Sequence, residues 1–292
     1  MHDFNDLIFQ VDDGLSLYAR DYPGPYPGAP VVMLLHGLTR NSRDFADVAP
    51  ALAGTHRVLV PEQRGRGRSD YDPVIERYQP ATYAGDMLAL LAQEHISQVA
   101  VVGTSMGGIM AMIMHALQPT LLRKVVLNDI GPELAKEGLE RIKTHVGMAS
   151  SFATWAHAAQ YARQVNQQAF PHYGSEDWLA FAHRLCIERD DCVVLDYDLA
   201  IGDAMRASAE TNGLPDLWPL FDLMRSIPVL LIRGALSDLL DEDCASKMAA
   251  THPQLTRLEV PEVGHAPMLT ELGVVEAIRD FLLAESGEAP TT

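Results

Sequence analysis

Cysteine is scarce in this chain. Cys186, Cys192 and Cys244 are an odd number with no metal-ligand spacing. They argue against a disulfide framework and point to a reducing compartment. Basic residues are also few: 22 Lys and Arg stand against 39 Asp and Glu, for a formal net charge of −17. That balance disfavours nucleic acid and anionic membranes, which attract basic faces. No run reaches the apolar length of a membrane span. The N-terminus carries Asp3, Asp6, Asp12 and Asp13 and does not read as a signal peptide. No internal repeat is visible. A cytoplasmic protein acting on a small molecule is the expectation.

What is present is apolar and regularly patterned. The chain has 292 residues, 48% of them hydrophobic, enough for one large core. An opening pair of strands is predicted over 7–11 and 15–21. Further strands follow over 31–35, 57–61, 99–103, 124–128, 229–234 and 257–261. Helical patterns cover 42–53, 82–95, 106–117, 216–225, 242–250 and 272–285, and the tail 285–292 reads as frayed. Strand alternating with helix implies a mainly parallel sheet covered on both faces. The stretch 131–215 breaks the alternation. It shows no convincing β run and reads as helical from Pro132 onward, a residue tolerated in a first turn.

One stretch carries chemistry. A β-branched run enters Gly103-Thr-Ser105-Met-Gly107, and an apolar helical pattern leaves it. In a strand–turn–helix setting a serine projects from the sheet edge as a nucleophile. Such a serine needs a base. Of 11 histidines, His115 and His157 fall in helical patterns, and His2, His56 and His252 read as solvated. His265 sits in a Gly/Pro loop beyond a strand, free to be aimed. The third group must be a carboxylate that fixes the imidazole tautomer. Asp238, just beyond the strand 229–234, leads. Asp129, at the end of the preceding strand, is the rival. Asp241 and Asp243 read as helix caps. Two backbone N–H groups are needed for the developing oxyanion. Met106 supplies one, and Leu38, in the loop after the strand 31–35, the other. His36 reads as a buried brace for that loop.

His36-Gly37, Gly103-x-Ser105-x-Gly107, Asp238 and Gly264-His265 stand in the order Ser, Asp, His. This resembles the α/β-hydrolase superfamily over roughly residues 7–283. Pro61-Glu-Gln-Arg-Gly-Arg-Gly-Arg-Ser-Asp70 is similar to that superfamily's loop after the fourth strand, with Glu62 for the usual Asp. It reads as structural, with Arg64 tied to backbone. The resemblance implies an α/β fold: a mostly parallel eight-stranded sheet flanked by helices, with an inserted helical cap. The core would be 1–130 and 216–292, and the cap 131–215. It implies a Ser105–His265–Asp238 triad, an acyl-enzyme intermediate on an ester or lactone, and no metal or organic cofactor. A carbon–carbon bond hydrolase and a non-catalytic receptor on the same scaffold are the alternatives. Phe152 and Trp155 are the aromatics expected to face the cleft. Of Arg141, Arg163, Arg184, Arg189 and Arg206, most read as solvated, so a small or medium substrate with an apolar acyl part is expected.

Overall fold

A computed structural model of the chain describes residues 4–148, 151–212 and 216–284. The first half lays down β1 (Asn5–Gln10), β2 (Ser16–Tyr22), β3 (Val31–Leu35), α1 (Val48–Ala53), β4 (Arg57–Glu62), α2 (Pro80–Gln93), β5 (Val99–Thr104), α3 (Met106–Leu117) and β6 (Leu122–Asn128). Next come α4 (Lys136–Lys143), β7 (Ser151–Phe152), α5 (Trp155–Asn166), α6 (Ser175–Leu185), β8 (Cys186–Arg189), β9 (Cys192–Leu195) and α7 (Ala200–Asn212). The chain closes with α8 (Trp218–Leu223), β10 (Val229–Gly234), α9 (Glu242–Thr251), β11 (Leu255–Val260) and α10 (Val274–Leu283).

Eight strands form one sheet in the order β1-β2-β4-β3-β5-β6-β10-β11. Only β2 runs against its neighbours. The period-two alternation of a strand explains how both faces are sealed. Met33, Leu35, Val101, Val125, Leu127 and Leu231 point to the side of α2 and α3. Val32, Leu34, Val102, Val126, Leu230 and Ile232 point to the side of α1 and α10. Every strand residue in these two sets is buried, which is what two-sided burial demands of a parallel sheet.

β6 and β10 are adjacent and parallel, yet about a hundred residues separate them. Most of that connection is the stretch 131–215, of which 149–150 and 213–215 lie outside the described residues, as does the tail 285–292. Two expectations for it need correction. Its first helix begins at Lys136, not near Pro132. It also contains strands: β7, β9 and β8 form a small antiparallel sheet. The β8–β9 hairpin turns on Asp190 and Asp191, whose φ values are 50° and 59°. That is the left-handed pair a tight hairpin requires, and Asp tolerates it. The Asp-Asp pair between short apolar runs was the available signal.

The loop after β4 fastens this connection to the core. Gly67 N–H donates to Asp196 O, and Asp198 N–H donates to Gly65 O. Arg43 pairs with Asp196 at 2.7 Å. Arg64 is not tied to backbone as expected. It is buried among three carboxylates, Asp86, Asp72 and Asp13. Arg66 is the one bound to backbone carbonyls. Glu62 accepts hydrogen bonds from the Ser42 N–H and hydroxyl and from the Arg68 N–H. His56 and His252, expected to be solvated, are buried. Their rings meet Thr55 and the Met224 carbonyl.

Candidate active site

Ser105 joins β5 to α3 with φ 53° and ψ −117°. A non-glycine residue held there is strained, and the surroundings must enforce it. The glycines do so by close approach. A Cβ on Gly103 would lie 2.5 Å from the Gly107 carbonyl carbon. A Cβ on Gly107 would lie 2.2 Å from the Leu35 carbonyl oxygen. The turn therefore packs against the neighbouring strand, and the Ser105 side chain is turned outward into a cleft.

The Ser105 hydroxyl lies 2.9 Å from Nε2 of His265. Nδ1 of the same ring lies 2.8 Å from Oδ2 of Asp129. The carboxylate facing His265 is thus Asp129, not the expected Asp238. Register is the reason. Thr104 pairs with Asn128 across β5 and β6, so Ser105 and Asp129 leave adjacent strands side by side. Ser105 N–H donates to Asn128 O, and Asp129 N–H donates to Ile232 O. The end of β10 and the loop after it then supply donors to Asp129. Gly234 N–H donates to Oδ1 at 2.8 Å, and the Ser237 hydroxyl donates to Oδ2 at 2.6 Å. Asp129 is fully buried, with both oxygens satisfied.

Asp238, four residues beyond β10, turns the other way. Arg141 of α4 holds it with Nε at 2.5 Å and Nη2 at 2.8 Å. Burial pushes the Asp238 carboxyl up, but the hydrogen bonds and charge of Arg141 outweigh it and keep the carboxyl below its ordinary range.

Leu38 and Met106 flank Ser105. Among the described residues neither amide N–H donates a hydrogen bond. Behind them lies Arg66, fully buried. Its Nε and Nη2 donate to Leu38 O at 3.0 and 2.9 Å, and Nη2 lies 3.9 Å from the Met106 sulfur. It sits over the Tyr83 ring at 4.5 Å. Among the described residues Arg66 forms no ion pair. His36 is a brace, as expected. Gln63 N–H donates to its Nε2, which leaves the proton on Nδ1 to donate to Gly37 O. Burial pushes its pKa down to about 3, against a smaller opposing pull from the Gly37 carbonyl.

The cleft over Ser105 has a volume of about 160 Å³ and is lined mostly by apolar groups. Phe45, Tyr161, Phe170, Phe181 and Tyr197 supply its aromatic wall. Phe152 and Trp155 do not line it. α5 turns Tyr161 and Val165 inward and leaves Trp155 at its first turn. There the indole N–H donates to Glu188 and the ring stacks on His183. Phe152 packs on Tyr161 from behind. Arg141 is not solvated as expected: it lines the cleft, with His145 one helical turn on. No such signal marks Arg141 in the sequence, since at 3.6 residues per turn it falls off the apolar face marked by Leu139 and Ile142. Arg40, also in the lining, is held by both oxygens of Asp44. Among the described residues no cluster of three His, Cys, Asp or Glu side chains is placed to hold a metal ion. No helix among them is long and apolar enough to cross a membrane.

A family model described as the alpha/beta hydrolase fold matches residues 30–272. A 3-hydroxybutyrate-oligomer hydrolase of Cupriavidus necator is 36% identical over 248 residues, covering 82% of this chain and 84% of its own. A 2-(acetamidomethylene)succinate hydrolase of Mesorhizobium japonicum is 28% identical over 261 residues, 87% of this chain and 88% of its own. The crystal structure of an alpha/beta hydrolase from Novosphingobium aromaticivorans is 41% identical, with a TM-score of 0.91 over 97% of this chain and 99% of that one.

Proposed function

Because the chain belongs to the alpha/beta-hydrolase family, we propose that this hydrolase cleaves small carboxylic esters by way of an acyl-serine. One observation carries the reading: the Ser105–His265–Asp129 relay, with contacts of 2.9 and 2.8 Å, opening on a cleft flanked by two amides whose N–H groups donate no hydrogen bond among the described residues. Asp129 accepts a hydrogen bond from Nδ1–H of His265, which leaves Nε2 free to take the Ser105 proton. Ser105 Oγ attacks the carbonyl carbon as its proton passes to Nε2. The carbonyl electron pair moves to oxygen, where the Leu38 and Met106 N–H groups receive it. The tetrahedral species collapses. The C–O bond to the alcohol breaks, and the alcohol leaves with the proton from Nε2. Water then repeats the sequence on the acyl-serine and releases the acid.

The ester bond is favoured over other bonds by the relative named for 3-hydroxybutyrate oligomers, since hydroxy-acid oligomers are joined through esters. The test is a fluorophosphonate probe and a 4-nitrophenyl butyrate assay. The reading predicts labelling at Ser105 and turnover that falls by about 10⁴-fold or more in Ser105→Ala. Labelling at another residue, or turnover that survives in the variant, overturns it.

A further inference from the structure

The cleft holds a cation with one edge unspent. Arg141 lines it together with Ser105 and His265. Asp238 grips the guanidinium through Nε and Nη2. Among the described residues Nη1 donates no hydrogen bond. A guanidinium is a planar fork of five donors and can serve two carboxylates on neighbouring edges. The pair is shielded, with side-chain exposures of 19% and 21%. The acid in the lining, Asp44, is spent on Arg40. Among the described residues, therefore, no unpaired anion in the lining repels an incoming carboxylate.

We infer that Arg141 anchors a free carboxylate on the substrate, so that the esters cleaved at Ser105 carry a carboxylate a few bonds from the scissile carbonyl. Asp238 is the positioning residue that holds Arg141 flat for this contact. The inference rests on the ester-hydrolase reading and names its substrate class. It also explains why the carboxylate after β10 is not the one on His265: it is committed to the guanidinium. A buried charge-assisted contact of this kind sets a discrimination of about 10- to 100-fold.

The experiment compares two matched pairs of esters. One pair carries the charge on the acyl side: monomethyl glutarate against methyl 5-oxohexanoate. The other carries it on the alcohol side: 3-acetoxybutyrate against 4-acetoxypentan-2-one. Each rate is divided by the rate of hydroxide-catalysed hydrolysis. Wild type is expected to prefer the anion in at least one pair by about tenfold or more in kcat/KM, with the difference residing in KM. Arg141→Gln/Asp238→Asn removes both charges and leaves neither orphaned. Its folding is checked by thermal melting. It should bring that ratio near one, and Asp238→Asn alone should lower it partway. No preference in either pair, or a preference that persists in the double variant, overturns the anchor. Glutarate binding by calorimetry separates the two readings. If none of the four esters turns over but glutarate binds wild type at least tenfold tighter than the double variant, the ester reading fails and the anchor stands. If glutarate binds both equally, the anchor fails.

Discussion

Asp129 lies 2.8 Å from Nδ1 of His265, while Asp238, on the next strand's loop, is bound to Arg141. The two carboxylates are therefore expected to separate sharply in kinetics. Asp129→Asn loses the acceptor that fixes the His265 tautomer and should lower kcat by about 10³- to 10⁴-fold. Asp238→Asn should cost about tenfold or less in kcat on a neutral 4-nitrophenyl ester. Steady-state kinetics of the two variants decides the assignment, and the reverse ranking would return the acid to Asp238.

Serine and base were legible in the sequence because their signals are local. Three glycines around Ser105 and a Gly/Pro setting for His265 declare a tight turn and a loop within a few residues. The acid was not legible in the same way. Asp129 and Asp238 both follow apolar strands, and both fit the chain order Ser, Asp, His. What separates them is the Thr104–Asn128 register and the turn by which Ser237 reaches Asp129. Neither leaves a local trace. The sheet read well for a related reason, since continuous β-branched runs have few other uses. β8 and β9 were missed because four-residue runs amid helical patterns do not stand out.

Arg66 is a buried cation whose contacts are carbonyls, a sulfur and aromatic faces. Moving a charge from water into a dry site costs several kcal/mol, so its position calls for a use. It locks the Leu38 peptide and places positive potential behind both proposed oxyanion donors. Arg66→Met is expected to lower kcat on the order of 10- to 100-fold with little change in KM. Arg66→Lys, which keeps the charge and loses the fork, should fall between. Affinity for a boronic acid transition-state analogue should drop in parallel with kcat. A purely structural role would lower the melting temperature and leave analogue affinity and kcat of the folded fraction intact.

Gly107 and Gly85 make a contrasting pair. A Cβ at Gly107 would sit 2.2 Å from the Leu35 carbonyl oxygen, whereas one at Gly85, exposed on α2, would meet nothing within 4 Å. Gly107→Ala must push β3 and α3 apart and should cost about 1–3 kcal/mol or more, with activity falling as Ser105 moves. Gly85→Ala gains helix propensity of about 1 kcal/mol. Urea unfolding should shift the midpoint in opposite directions for the two variants. A neutral Gly107→Ala would mean that the nucleophile turn is not held by close approach.

Stability should fall as pH drops below about 6.5, and His36 is a principal cause. Its folded pKa, pushed down to about 3 by burial, lies below the ordinary histidine value of about 6.5. Between those values the unfolded chain takes up a proton that the folded protein refuses. The associated stability is complete above pH 6.5 and is lost as pH falls toward 3. From pH 7 to 5 a histidine that stays neutral when folded costs up to about 2 kcal/mol. Burial shifts His56, His115 and His252 in the same direction. The lowered carboxyls, Asp13 and Asp238 among them, lose their contribution only below about pH 4. Asp86, raised by burial, works in the opposite sense, so it is the comparison with a His36 variant from pH 5 to 7 that isolates His36. Urea midpoints measured across that window should decline toward the acid side. His36→Asn should be weaker at pH 7, having lost the Gly37 and Gln63 contacts, yet decline less steeply. An equal slope in the two proteins would show that His36 does not refuse the proton.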